Sequence, residues 1–321
     1  MKTLEEFRDY FETQIVQSIE PLENQRIKVL KKTTVVLVVM VIIPIAILVF
    51  GNQELLRVDG EPLLQLTFFY VAICGAILYW MKKSYVSDFK DKIIEKIVGF
   101  FDDSFIYKKN SCISDNIFNC CEIFDTTPNK YSGDDYVSGV IVDQEYLDKL
   151  GQKKGTKIEF SEIKAEKESG TGKHRTVHTI FKGLFFMADY NKNFSGITRV
   201  LPDYKKRWLF AGKDRVMLED PEFERLFEVY STDQIEARYI LTPSLMDRLK
   251  SFKQKTGRPV YASFVNNKIY VAIEYARNLF EPDIFKTLYD FAPMQQYFED
   301  LQFAISIVEE LNLNTRIWSK S

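Results

Sequence analysis

The chain offers few side chains that could do chemistry: two histidines, four cysteines and a scatter of carboxylates. His174 and His178 would share a face on a helix, but the flanking residues read as a strand. There, positions four apart stand about 13 Å from one another, too far to hold one metal ion, so both imidazoles read as solvent-facing. Cys74, Cys112, Cys120 and Cys121 show no Cys-x-x-Cys spacing and no second pair of ligands. The adjacent Cys120 and Cys121 therefore read as packing residues on a short helix, and neither a metal nor a cofactor is expected. Asp189, Asp203 and Asp233 could serve a membrane-tethered enzyme of unrecognised type, provided that they converge in one pocket. Asp233, Glu236 and Arg238 fall within six residues, where an ion pair inside the fold is the simpler reading. No serine elbow, phosphate loop or dinucleotide glycine pattern occurs. Gly212-Lys213 lacks both the preceding glycine and the following Ser or Thr of a phosphate loop.

Two stretches suit binding better than catalysis. The turn at residues 189–196 holds Asn191 and Lys192, which could present an amide and a cation to an anion, although Asp, Asn and Gly are also what a tight turn requires. The run YKKRW at residues 204–208 places Lys205, Lys206, Arg207 and Trp208 together. Such a basic and aromatic cluster could meet anionic lipid headgroups, each cation contributing about 1 kcal/mol close to the surface.

The elements that position these residues divide sharply by hydropathy. With 43 basic and 45 acidic residues in 321, the net charge is -2, and the basic footprint of a nucleic-acid binder is missing. The mean hydropathy of -0.17 hides two uncharged blocks, residues 33–50 and 62–81. Each is about long enough to cross a hydrocarbon core near 30 Å thick, and the first carries no polar stripe on any face. They predict a transmembrane hairpin, with Pro44 kinking the first helix and Tyr70, Tyr79 and Trp80 suited to the interface. Arg26, Lys28, Lys31 and Lys32 precede the pair and Lys82 and Lys83 follow it, whereas the loop at 51–61 offers Arg57 against Glu54, Asp59 and Glu61. Positive flanks stay inside, so both termini are expected in the cytoplasm and the loop outside.

Residues 1–32 form a cytoplasmic amphipathic helix: Thr3 and Glu6 have capping-box spacing, and Phe7, Phe11, Ile15 and Ile19 recur at steps of four. Residues 82–109 repeat the step with Phe89, Ile93, Ile97, Phe101 and Phe105, and the two extensions are expected to run antiparallel as a stalk. Residues 110–321 read as a cytoplasmic α+β domain with a mostly antiparallel sheet and interspersed and C-terminal helices. A short helix is expected at 114–124, a loop at 126–135 and strands from Tyr136 onward. The strand at 157–166 changes phase between Phe160 and Ile163, which suggests a bulge, and a Gly-rich turn follows at 168–173. Further strands are expected at 175–189, 197–201 and 207–211. Asp220-Pro221 and Thr242-Pro243 open helices, Asn266-Asn267 turns a hairpin over 259–275, and Tyr297, Leu301, Ile305, Val308 and Leu311 mark the core face of a long final helix.

The middle of this domain resembles a bacterial membrane-protein family, domain-of-unknown-function family 3137. The resemblance lies in Phe181, Gly183, Leu184 and Phe185, then Asp189, Asn191, Lys192, Phe194, Gly196, Thr198, Pro202 and Asp203, and in a second block from Tyr230 to Asp233, Glu236 to Tyr239 and Leu241 to Pro243. It implies a bacterial cytoplasmic membrane and brings no activity, ligand or catalytic residue. Taken with the residues themselves, the chain reads as a membrane-anchored, non-enzymatic interaction module for a protein partner or anionic lipid. A channel or transporter on two spans would need self-association into a homo-oligomer.

Overall fold

Thr3 caps the first helix, α1 (Leu4–Tyr10), through the reciprocal capping box with Glu6. Four residues overshoot a 3.6-residue turn by about 40°, so three steps of four would carry Ile19 away from the face of Phe7. The wider π-turn at Phe11–Ile15 takes up that excess before α2 (Val16–Phe50), and Phe7, Phe11, Ile15 and Ile19 are all buried. The same device recurs at Lys90–Ile94, between α3 (Glu61–Phe89) and α4 (Glu95–Phe101). There Phe89, Ile93 and Ile97 are buried. The stripe was expected to reach Phe105, but the helix ends at Phe101, and the Phe105 ring instead occupies the space above Gly139 where a Cβ would sit.

The computed structural model describes residues 2–50, 61–147, 153–190, 194–203 and 214–311. It divides into two units, Met1–Ile97 with Phe280–Phe298, and Val98–Leu279 with Glu299–Ser321. In the first unit α2 and α3 run antiparallel. Lys96 Nζ donates to Ser18 Oγ (2.8 Å), Gln25 Nε2 to Asp88 Oδ2 (2.9 Å) and Tyr70 Oη to the Val39 carbonyl (2.8 Å). The segment from Phe280 to Phe298 packs on the stripes: Phe7 stacks on Phe298 with centroids 4.6 Å apart, and Phe89 meets Tyr297 at 5.5 Å. Among the described residues no helix is long and apolar enough to cross a membrane. All but the last residue of the 51–61 loop lies outside the described residues.

The second unit is built on a nine-stranded antiparallel sheet in the order β1-β2-β3-β4-β9-β8-β5-β7-β6. Its strands are β1 (Ile106–Lys108), β2 (Lys130–Leu147), β3 (Lys153–Ser169), β4 (Thr176–Asp189), β5 (Ile197–Pro202), β6 (Arg215–Val216), β7 (Phe227–Ser231), β8 (Val260–Val265) and β9 (Lys268–Glu274). One face carries the aromatic cluster of Phe118, Phe181, Phe185 and Tyr261, covered by α5 (Asp115–Cys120) with its Ser114 cap. Helices α6 (Pro221–Glu224), α7 (Gln234–Ile240) and α8 (Pro243–Thr256) open on Asp220, Asp233 and Thr242 caps. The core stripe of α8 is Leu245, Met246, Leu249 and Phe252, all buried. The final helix α9 (Phe291–Glu310) stacks Phe303 on Phe252 at 5.1 Å.

Two expectations need correction. Residues 130–135 belong to β2 and not to a loop, and the bulge lies in β2 between Asp134 and Val137, opposite the phase change in β3. The phase change itself follows from burial on both faces: Phe160 and Ile163 are each fully buried, though they point to opposite sides. The strand expected at 207–211 lies outside the described residues.

Candidate functional site

The residues chosen from the sequence for interaction, Asn191, Lys192, Lys205, Lys206, Arg207 and Trp208, lie outside the described residues. Their flanks are anchored. Tyr190 N–H donates to the Asn267 carbonyl (2.7 Å) and Phe194 N–H to that of Asn266, where Asn266 takes positive φ at the hairpin corner. Asp203 N–H donates to Leu226 O.

The three carboxylates considered for catalysis do not converge. Register places Asp189 opposite Lys268, Lys268 opposite Val265 and Val265 opposite Ile197, so three strand spacings, about 14 Å, separate Asp189 from β5. Asp203 lies six positions beyond Ile197, about 20 Å further along. Asp189 instead pairs with Lys268 (2.9 Å), and Asp233 caps α7 by accepting from Ile235 N–H and Glu236 N–H. Arg238 donates to the Met217 carbonyl (3.0 Å) and pairs with Glu219 rather than with Asp233. His174 and His178 are exposed. Cys121 is buried in the aromatic cluster, Cys120 is exposed, and all four cysteines are free.

What the fold does bring together was only partly visible beforehand. Glu236 on α7 accepts the N–H of Ser195 (2.8 Å) and of Gly196 (2.7 Å), and Thr232 Oγ1 accepts that of Ile197 (2.9 Å). Thr198 and Ser231 share a buried hydroxyl bond at 3.0 Å. The two blocks that carry the family resemblance thus meet along the β5–β7 pairing.

A second grouping arises from the β2–β3 register, which sets Asp134 opposite Glu162. Ligand atoms of Asp134, Asp135 and Glu162 lie within 4.8 Å of one another. Two of these carboxylates already serve the fold: Asp135 accepts from the Tyr107 hydroxyl (2.5 Å) and Glu162 from Leu279 N–H (2.9 Å). Ca²⁺ takes six to eight oxygens, so one oxygen from each of the three would supply half a shell at most. It was missed because its members are joined by register and not by spacing.

Beside it two clefts share Lys182. One, of about 370 Å³, is lined by Ser132, Asp134, Glu162, Lys164, Lys182 and Asn278. The other, of about 560 Å³, lies between β4, the end of β9 and the turn after α8, with Lys182, Arg258 and Tyr275 in its walls. Arg258 lays its guanidinium over the Tyr275 ring, 4.2 Å from the centroid. Burial pushes the Tyr275 phenol up to about 12, so the ring is neutral and suits a cation on its face.

No curated protein matches the chain. Among solved structures it is similar to the mycobacterial trehalose monomycolate transport factor A, TtfA, at 14% identity and a TM-score of 0.36, covering 66% of this chain and 90% of that one. Residues 179–313, which hold both motif blocks from Phe181 to Pro243, match the family described as Protein of unknown function (DUF3137), and over that stretch the resemblance read from the sequence is borne out.

Proposed function

We propose that the chain is a membrane-anchored, non-enzymatic interaction module, held in a bacterial cytoplasmic membrane by residues 33–50 and 62–81, whose cytoplasmic domain binds a protein partner or anionic lipid. The observation that carries the reading is apolar surface on α2 and α3 that is left exposed among the described residues. Val35 is 61% exposed, Phe68 71% and Trp80 77%, and Leu37, Val38, Val41, Ile42, Ile45, Val71, Ile73 and Ile77 are exposed beside them. A contiguous patch of that kind marks an interface with lipid or protein. Its composition supports lipid, because both blocks are uncharged and are bounded by Lys31, Lys32, Lys82 and Lys83. Arg26, counted among the positive flanks, has another role: it is buried against Glu23. The non-enzymatic half of the reading is supported by the dispersal of Asp189, Asp203 and Asp233.

Fractionation tests the anchor. The full chain should stay in the membrane pellet after alkaline carbonate washing and be released by nonionic detergent; recovery of a folded monomer from the wash would overturn the anchor. Cross-linking in intact cells followed by purification in mild detergent, together with lipid overlay of the purified chain, tests the binding role. A chain that returns neither partner nor lipid would overturn it.

A further inference from the structure

Lys182 and Tyr275 oppose one another across β4 and β9, with Tyr275 N–H donating to the Lys182 carbonyl (3.1 Å). Directly opposed residues share a face of the sheet, so the Lys182 ammonium and the Arg258 guanidinium stacked on Tyr275 open onto the same 560 Å³ cleft. Neither cation forms an ion pair among the described residues. Lys182 Nζ donates to the Ala276 carbonyl at 3.2 Å, and among the described residues the Arg258 side chain rests on the Tyr275 ring. Glu274 also lines this cleft, but its carboxylate is already engaged. It leaves β9 on the opposite side from Tyr275, and its Oε1 accepts the hydroxyl of Tyr261, whose ring sits in the aromatic cluster.

Two cations against one carboxylate, that of Glu274, leave the cleft net positive and suited to a ligand of negative charge. A phosphomonoester supplies 1.5 to 2 at neutral pH, with three acceptor oxygens, and a guanidinium held flat on an aromatic ring is prepared to grip it in a fork. We infer that this cleft binds a phosphomonoester group, with Arg258 and Lys182 as its donors and Tyr275 holding Arg258 in place. The group is carried either by a soluble ester or by a lipid of the phosphatidic acid type. The inference rests on the reading of this domain as a binding module and is independent of the anchor.

The test is calorimetric titration of the full chain in neutral detergent with inorganic phosphate, with dihexanoyl phosphatidic acid and with the diester dihexanoyl phosphatidylglycerol. Inorganic phosphate and the monoester phosphatidic acid should both bind, and the diester about ten-fold more weakly. Binding of phosphatidic acid without free phosphate would support the site and assign it to a headgroup. Arg258→Gln and Lys182→Gln should each weaken binding about ten- to hundred-fold, the loss of one charge-assisted bond, while Arg258→Lys should fall between. The partly exposed Lys182 keeps the test available should Arg258→Gln lose the fold. No monoester binding, or equal affinity in the Gln variants, overturns the site. If the same preparation still captures a protein partner, the wider reading stands without it.

Discussion

The carboxylate of Glu236 holds the backbone at Gly196: its Oε2 accepts the Gly196 N–H at 2.7 Å while Oε1 takes that of Ser195. The two residues are 40 positions apart, and the contact fastens α7 to the entry of β5. It also explains the glycine, since a Cβ there would come within 2.6 Å of Thr232 Oγ1 and 3.0 Å of Glu236 Oε2. Gly196→Ala should therefore destabilise the domain by about 1–3 kcal/mol, as overpacking does. Glu236→Ala should cost about as much by leaving two amides unpaired. Thermal melts of the two single variants and the double variant test the coupling. Costs that simply add would show that the residues act independently.

Glu23 and Arg26 should make the first unit sensitive to acid. Arg26 grips Glu23 through two nitrogens (2.7 and 2.9 Å), and Thr287 and Leu288 N–H complete the carboxylate's shell. The Arg26 fork, followed by those two donors, lowers the Glu23 carboxyl from 4.5 to about 2. Because the folded value is the depressed one, the stability it contributes is full above about pH 5 and is lost as pH falls from 4.5 toward 2. Glu23→Gln should remove that portion of the acid dependence. It should also cost about 3 kcal/mol at neutral pH, because it strands a buried guanidinium. Urea melts between pH 2 and 7 give both readings; an unchanged acid limb in the variant would overturn the assignment.

These two contacts also mark where the sequence stops being legible. Thr3 with Glu6, Asp220-Pro221, Thr242-Pro243 and Asn266-Asn267 announce their elements because capping and turning are decided within four residues. The step-of-four stripes were legible for the same reason, although the π-turns that make them work show only in the structure. Glu23 meets Thr287 across 264 positions, and nothing local in either residue names the other. The bulge was placed in β3 because a change of burial phase looks the same whether a strand slips or is covered on both faces. The Arg258–Tyr275 stack was missed altogether. Nothing local to Arg258 names Tyr275 seventeen positions on, and only the β4–β9 pairing sets that ring opposite Lys182.

Cys120 and Cys121 are neighbours with opposite fates. Cys120 is exposed at the end of α5, whereas Cys121 is buried and its thiol is pushed up to about 12, with burial as the main cause. Only a thiolate alkylates. In the native chain near pH 8, iodoacetamide should modify Cys120 and leave Cys121 intact until denaturant is added. Peptide mass mapping before and after unfolding decides it, and modification of both at similar rates would show that α5 does not cover the cluster.

Tyr85 and Tyr131 form a matched pair for the cost of an unmade bond. Tyr131 Oη donates to the Ile113 carbonyl at 2.7 Å. Tyr85 is fully buried, and among the described residues its hydroxyl has no partner; burial accordingly raises its phenol well above the ordinary value. A buried polar group without a partner carries its desolvation penalty uncompensated, and removing it costs nothing in hydrogen bonding. Tyr131→Phe should lower stability by about 1 kcal/mol, leaving a carbonyl unsatisfied. Tyr85→Phe should leave it unchanged or raise it by about the same amount, because the ring and its contact with Phe89 remain. The two hydroxyls lie in different units, so the melts report separate environments. A loss for Tyr85→Phe equal to that for Tyr131→Phe would mean that a bound water, held with Arg26 and Glu23 nearby, satisfies the Tyr85 hydroxyl.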